Sequence, residues 1–172
     1  MEFNELYFYT SEISGGNRIL SDNKYKEIVI NCLQRLAFYE KVRIFGYIIL
    51  PNKIHLLWEF LELNGSEFPC ISFINYSNKQ LYQSVKSDNP QILPLFKTEN
   101  NSDYEFWLSH FSIVQISTLE LAYKKLLHIH NLPFTQKWKL CTTPNEYEYS
   151  SAPFYRNGVD KYGFLTHIDN RF

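Results

Sequence analysis

The sequence has little of what would mark a secreted, metal-clipped or membrane protein. Its three cysteines are an odd number, lie far apart and include no CxxC pair, so neither a disulfide framework nor a zinc knuckle is predicted. No run approaches the roughly 18 apolar residues of a membrane-spanning helix, and the acidic start MEFNELYFYTSE is unlike a signal peptide. We therefore expect a cytoplasmic protein without membrane contact.

An excess of charge of either sign is also missing. Lys and Arg number 17, Asp and Glu number 18, and the formal net charge is −1. The chain therefore has no overall attraction for nucleic-acid phosphates, and such binding would need a local basic patch. What the 172 residues do contain is 45% hydrophobic and 17% aromatic side chains, enough to bury a core. We predict one domain over residues 1–172, of which about 134–172 form a C-terminal wrapping tail.

The residue pattern predicts the element order strand, helix, hairpin, helix, strand, helix. The segments LYFYT, VRIFGYIIL and FWLSHFSIVQI are rich in the aromatic and β-branched residues of strands, and Pro51 turns the second segment back into a hairpin. Apolar residues recur every three or four positions in three segments, Ser21 to about Glu40, 71–85 and 117–133. This order is typical of an α+β, ferredoxin-like antiparallel sheet with helices mainly on one face.

Two local signals add detail to this prediction. Ser117 and Glu120 have the spacing of a capping box at the start of the last helix. Residues 87–103 are polar and contain two prolines, so this segment is predicted to be a mobile loop.

The stretch ILPNKIHLLWEF, residues 49–60, alternates apolar and polar side chains around one Lys and one His. Successive side chains of a strand point to opposite faces, so Lys53 and His55 share one face while Ile54 and Leu56 share the other. A strand in this position would normally present one apolar face and one mixed face. The mixed face, with Lys53 beside His55, is therefore the candidate position of a functional site.

The longer stretch YIILPNKIHLLWE resembles the signature strand of the HUH single-tyrosine transposases, in the REP-associated branch, where the pattern is close to Y-V-I-M-P-N-H-x-H-L-L. KLLHIHNLP, YEYSSAPFY and GFLTH are similar to the family's K-L-x-Y-I-H-N-N-P, Y-x-Y-S-S-A-x-F-Y and G-F-L-T-H. The resemblance covers nearly the whole chain. It implies an HUH-type transposase domain, usually dimeric, that binds hairpin-forming single-stranded DNA. It also implies cleavage by a tyrosine, assisted by Mg²⁺ or Mn²⁺ bound to two histidines and a third ligand four residues after the tyrosine.

This chain departs from the family at the positions that carry the chemistry. Lys53 stands where the first metal histidine is expected, and only the second, His55, remains. His128 stands at the position of the tyrosine, and Leu132 at that of the helical ligand, usually Asn or Gln. A charged ammonium cannot ligate a metal, and a leucine has no donor atom. We therefore predict that no metal cofactor is bound and that the protein is a catalytically inactive, transposase-like DNA-binding protein.

Each of these residues has more than one interpretation. His55 is either a surviving metal ligand or a polar remnant of the old cleft. Lys53 can act as a point charge over a phosphate or be a solvated cation lining the cleft. His128 can be a structural residue or a nucleophile, which would give an active DNA-cleaving enzyme with Lys53 and His55 as partners. His130 cannot join His128 in a zinc site, because residues two apart on a helix point about 200° apart.

A local basic patch is available in spite of the near-neutral total. Lys124 and Lys125, with Lys137 and Lys139 after them, give the last helix a basic flank, although a solvated flank explains them equally well. The residues predicted to contact DNA are Lys53, Lys79, Lys124 and Lys125. The expected partners are single-stranded or hairpin DNA and a second copy of the chain. A protein-interaction or structural dimer without nucleic acid is the remaining alternative, supported by the near-neutral charge.

Overall fold

The computed structural model describes residues 1–98 and 103–172. The strands are β1 (Leu6–Glu12), β2 (Val42–Leu50), β3 (Lys53–Phe60) and β4 (Ser112–Gln115). They form an antiparallel sheet in the order β2-β3-β1-β4. The helices are α1 (Asn23–Phe38), α2 (Pro69–Asp88), α3 (Leu119–Asn131) and α4 (Ala152–Asn157). The predicted α+β class and ferredoxin-like arrangement are confirmed.

The two longest helices cover one face of the sheet. α1 and α2 pack against each other, and Phe73 of α2 lies edge-on to the rings of Tyr9 and Trp58 at centroid distances of 6.4 and 6.2 Å. The aromatic side chains of this layer are fully or almost fully buried, so they form the centre of the core. Within the described ranges, no helix is both long enough and apolar enough to cross a bilayer.

α3 packs on the opposite face, where Gly46 of β2 lets it approach closely. A Cβ atom on Gly46 would overlap Cδ2 of Leu126 and lie 3.6 Å from Cδ1 of Ile129. The strand is irregular here, with a register shift between Ile44 and Gly46. The missing side chain therefore sets the distance between α3 and the sheet.

Replacing Gly46 by Ala should destabilise the fold by about 1–3 kcal/mol, because the added methyl group overlaps the Leu126 side chain. Urea unfolding followed by circular dichroism measures the change. In a Leu126→Ala background the same replacement should cost less than about 1 kcal/mol, since the overlapping atom is gone. An equal cost in both backgrounds would contradict this account of the contact.

The C-terminal tail (residues 134–172) seals the outer edge of β2. Backbone groups of Tyr149, Ser151 and Thr166 hydrogen-bond to β2 at 2.9, 3.0 and 2.9 Å. The hydroxyls of Tyr147 and Tyr155 donate to β2 carbonyls at 2.6 and 2.7 Å. The sequence element YEYSSAPFY thus has a structural role, because its polar groups satisfy an edge strand that would otherwise present unpaired backbone groups.

The last strand is shorter than predicted. The aromatic segment 106–116 was expected to be a strand throughout, but only Ser112–Gln115 pairs regularly with β1. Trp107 instead donates its indole N–H to the Ser77 hydroxyl at 2.9 Å, and the Phe106 amide donates to the Asn78 side chain at 2.8 Å. At Trp107 the backbone forms only an isolated antiparallel bridge with Ile13, in which the Ser14 amide donates to the Phe106 carbonyl and the Leu108 amide to the Glu12 carbonyl, both at 2.8 Å.

Two further boundaries differ from the prediction. The cap of α3 is Thr118, whose hydroxyl accepts from the Leu121 amide at 3.2 Å, and not Ser117. Within the predicted mobile loop, Pro90–Phe96 forms a 3₁₀ helix with Leu93 and Phe96 buried. Residues 99–102, also in that prediction, lie outside the described residues.

Candidate functional site

The pairing of β1 with β3 brings four polar side chains together on the face of the sheet that α3 covers. Thr10 lies opposite His55 and Glu12 opposite Lys53, so these four side chains share one side of the sheet. The neighbouring apolar positions, including Tyr9 and Trp58, point to the α1–α2 layer. Lys53 and His55 therefore share a face, as the alternation of the strand predicts.

Lys53 is held in an ion pair with Glu12. Its Nζ lies 2.5 Å from Oε1 of Glu12, and the side chains are 17% and 42% exposed. The hydrogen bond from Lys53 is the main cause of a lowered pKa for the Glu12 carboxyl, and the charges of Lys53 and Lys137 act in the same direction. Lys53 is thus neither a free solvated cation nor a bare point charge, because a carboxylate already balances it.

His55 lies deep in the site and is uncharged at neutral pH. The residue is only 9% exposed, its Nδ1 shares a hydrogen bond of 2.7 Å with the Thr10 hydroxyl, and the Phe8 ring stacks on it at 5.6 Å. Burial lowers the pKa of His55 to about 4, and the charges of Lys53 and His128 add to the effect. The ring is therefore a neutral hydrogen-bonding group beside an ion pair.

α3 brings two more of the predicted residues to this face. His128 is exposed, and its ring lies edge-on to His55 at a centroid distance of 6.4 Å. Lys125, one turn earlier, places its Nζ 4.6 Å from the centre of the Phe8 ring. We call Thr10, Glu12, Lys53, His55 and His128 the candidate site, with Lys125 at its margin.

Other predicted residues are not part of this group. Lys124 is exposed and forms an ion pair with Glu120 along α3. Lys79 lies on α2, in the layer on the opposite side of the sheet, so the structure separates it from Lys53. Leu132 follows α3 in a short 3₁₀ turn and packs its side chain against the core.

The residues of the candidate site do not fit the implied metal ion. In residues 1–98 and 103–172, no group of three or more His, Cys, Asp or Glu side chains is arranged to hold one. Lys53 replaces one expected ligand by a cation, and Leu132 replaces another by a hydrocarbon side chain. His55 and Glu12 alone fall short of the three protein ligands of a typical catalytic site.

His130, on the buried side of α3, links the helix to the C-terminal tail. Its Nε2 shares a hydrogen bond of 2.8 Å with the Ser151 hydroxyl, which in turn accepts from the Tyr47 amide of β2 at 3.0 Å. Burial lowers the pKa of His130 to about 4. This three-way contact helps to hold His128, two residues earlier, at the candidate site.

Lowering the pH from 7 to 4.5 should destabilise the fold partly through His130. The unfolded chain takes up a proton near pH 6.5, whereas folded His130 does so only near pH 4, so stability is lost as the pH falls through this window. His130→Gln should reduce the loss by about 2 kcal/mol, as measured by urea unfolding at several pH values. The remaining loss should include a part from His55, and an unchanged pH dependence would contradict the burial of His130.

Comparisons with known proteins bear on the fold. No protein-family model matches the sequence, and no curated protein matches it. Among solved structures, a REP-associated tyrosine transposase bound to a REP hairpin is similar over 97% of this chain and 88% of its own, with a TM-score of 0.64 and 13% identity. This chain has the fold of a REP-associated tyrosine transposase. A protein of Deinococcus radiodurans R1 assigned as a transposase is similar over 73% of this chain and 88% of its own, with a TM-score of 0.45 and 14% identity.

Residues of the transposase-like fold that sequence reasoning missed lie mainly on β1. The predicted strand LYFYT ends at Thr10, two residues short of Glu12. β1 instead continues to Glu12 and places it opposite Lys53. Thr10 and Phe8, the partners of His55, were placed on a strand but given no role. The opposite charges of Glu12 and Lys53 would have predicted their ion pair, but only once the register between β1 and β3 is known.

Proposed function

We propose that this chain is a transposase-like protein that binds hairpin or single-stranded DNA at the candidate site and has lost strand cleavage. The observation that carries the proposal is the ion pair between Lys53 and Glu12 at the place where the resemblance expects a metal ion. The homodimer that the resemblance implies stays a prediction.

The loss of cleavage is supported by three changes in one place. A divalent ion neutralises charge that develops on a phosphate during cleavage, and it needs ligands with free lone pairs. Lys53 and Leu132 supply none, and His128 has no hydroxyl to attack with. The candidate site is instead satisfied internally, since Glu12 balances Lys53 and Thr10 hydrogen-bonds to His55.

The DNA half of the proposal is supported by the fold and by the local charge. The solved transposase of the same fold is bound to a REP hairpin. In this chain Lys125 lies over Phe8 at the margin of the candidate site, and its charge is close enough to act on His55. Among the described residues Lys125 forms no ion pair, so its ammonium is available to a phosphate.

Replacing Lys125 by Ala should weaken binding of a fluorescent DNA hairpin with a single-stranded flank by about three- to tenfold. Fluorescence anisotropy over a series of salt concentrations measures the affinity, and the salt dependence should fall by about one phosphate contact. Lys79→Ala is the matched control, because it removes the same charge from the opposite side of the sheet and should leave binding unchanged. Absence of binding even at low salt, or equal effects of both variants, would remove the DNA half of the proposal.

Incubation of the wild-type protein with the hairpin and Mn²⁺ should leave the DNA intact, with neither a nick nor a covalent adduct on a denaturing gel. The physical reason is that Lys53 and Leu132 cannot ligate Mn²⁺ and that His128 has no hydroxyl to attack the phosphate. A variant combining Lys53→His, His128→Tyr and Leu132→Asn restores those groups and should gain Mn²⁺ binding, which calorimetry detects. A Mn²⁺-dependent nick by the wild type that His128→Ala abolishes would instead establish an active enzyme with a histidine nucleophile.

A further inference from the structure

The two members of the Glu12–Lys53 ion pair are unequally accessible. Lys53 is mostly enclosed, with 17% of its side chain exposed, whereas Glu12 is 42% exposed. The carboxylate is therefore the more exposed member of the pair. An anion from solution that binds to the Lys53 ammonium must take the position of the Glu12 carboxylate.

The surroundings of the Glu12 carboxylate select for negative charge. Lys53 donates a hydrogen bond of 2.5 Å to it. Carboxylate and phosphate oxygens accept hydrogen bonds from an ammonium group in the same way. A position that suits the Glu12 carboxylate therefore also suits a phosphate oxygen.

A second ion pair on the same strand shows what a permanent structural contact looks like. The Glu59 side chain is 4% exposed and lies between Arg43, at 3.0 Å, and Arg171, at 3.2 Å. Two guanidinium groups thus enclose that carboxylate. Among the described residues the Glu12 side chain forms one ion pair, with Lys53, and 42% of it is exposed, so its exchange for another anion requires no opening of the core.

We propose that Lys53 forms a binding position for one phosphate group of a nucleic-acid backbone, and that the Glu12 carboxylate fills this position in the free protein. The identity of the phosphate as part of DNA rests on the proposed function. Binding then requires the phosphate to displace Glu12 from Lys53. Glu12 limits affinity in two ways, since it occupies the ammonium and repels the incoming charge.

Glu12→Gln should tighten hairpin binding about tenfold, because it removes the negative charge and frees the ammonium of Lys53 at nearly constant shape. The salt dependence should steepen by about one phosphate contact. Asp88→Asn is the matched control, because it removes an equal charge from a similarly exposed ion pair with Lys24, on the opposite side of the sheet, and it should change the affinity less than about twofold. The gain should disappear in the double variant Glu12→Gln/Lys53→Met.

Inorganic pyrophosphate provides a probe that does not depend on DNA recognition. Calorimetry should detect its binding to Glu12→Gln, much weaker binding to the wild type and none to the double variant. Glu12→Thr, a neutral side chain that suits a strand, provides a second variant, and urea unfolding checks that each variant is folded.

The two probes separate the two proposals. Pyrophosphate binding by Glu12→Gln without any hairpin binding would leave the phosphate position standing and remove the DNA function. Hairpin binding by the wild type that Glu12→Gln does not improve would overturn the phosphate position and leave the DNA function standing. An equal gain from Asp88→Asn would also overturn it, since the effect would then be one of net charge alone.

Discussion

The register between β1 and β3 is the constraint on which the rest of this structure depends. A shift of one residue would send every side chain of a strand to the other face. In the observed register Tyr9 and Trp58 meet Phe73 in the core, and on the opposite side Glu12 meets Lys53 and Thr10 meets His55. The aromatic layer and the candidate site are thus two results of one pairing. Strong burial on one face holds the polar partners of the other face in place.

The candidate site is a set of polar groups that satisfy one another without a metal. A cation and a histidine enclosed beneath a helix would be costly if either lacked a partner. Here Lys53 has Glu12, His55 has Thr10, and on the buried side of α3 His130 has Ser151. None of these three side chains is therefore left without a partner. Because Lys53 is already paired, an anionic ligand can bind to its ammonium only by displacing the Glu12 carboxylate.

Sequence reasoning succeeded where the information is local. The period of two in β3 places Lys53 and His55 on one face, and the order of apolar patterns leads to the ferredoxin-like sheet that the structure confirms. It failed where tertiary contacts decide. The aromatic segment around Trp107 has strand propensity, yet its backbone forms only an isolated bridge with Ile13, while the Trp107 side chain packs on α2 and donates to Ser77. Ser117 and Thr118 both carry a hydroxyl suitable for a cap, and only the path of the backbone selects Thr118.

The seal that the C-terminal tail places on β2 leaves the sheet with one open margin in the part of the chain that the structure describes. That margin is β4, a strand of four residues in which Ser112, Val114 and Gln115 are exposed. So short a strand offers few hydrogen-bonding groups to a neighbouring molecule. A protein as rich in aromatic β-strands as this one would otherwise be prone to edge-to-edge aggregation. The tyrosines of the tail occupy backbone carbonyls of the edge strand β2. A strand of another molecule therefore cannot use these carbonyls to extend the sheet into a fibril.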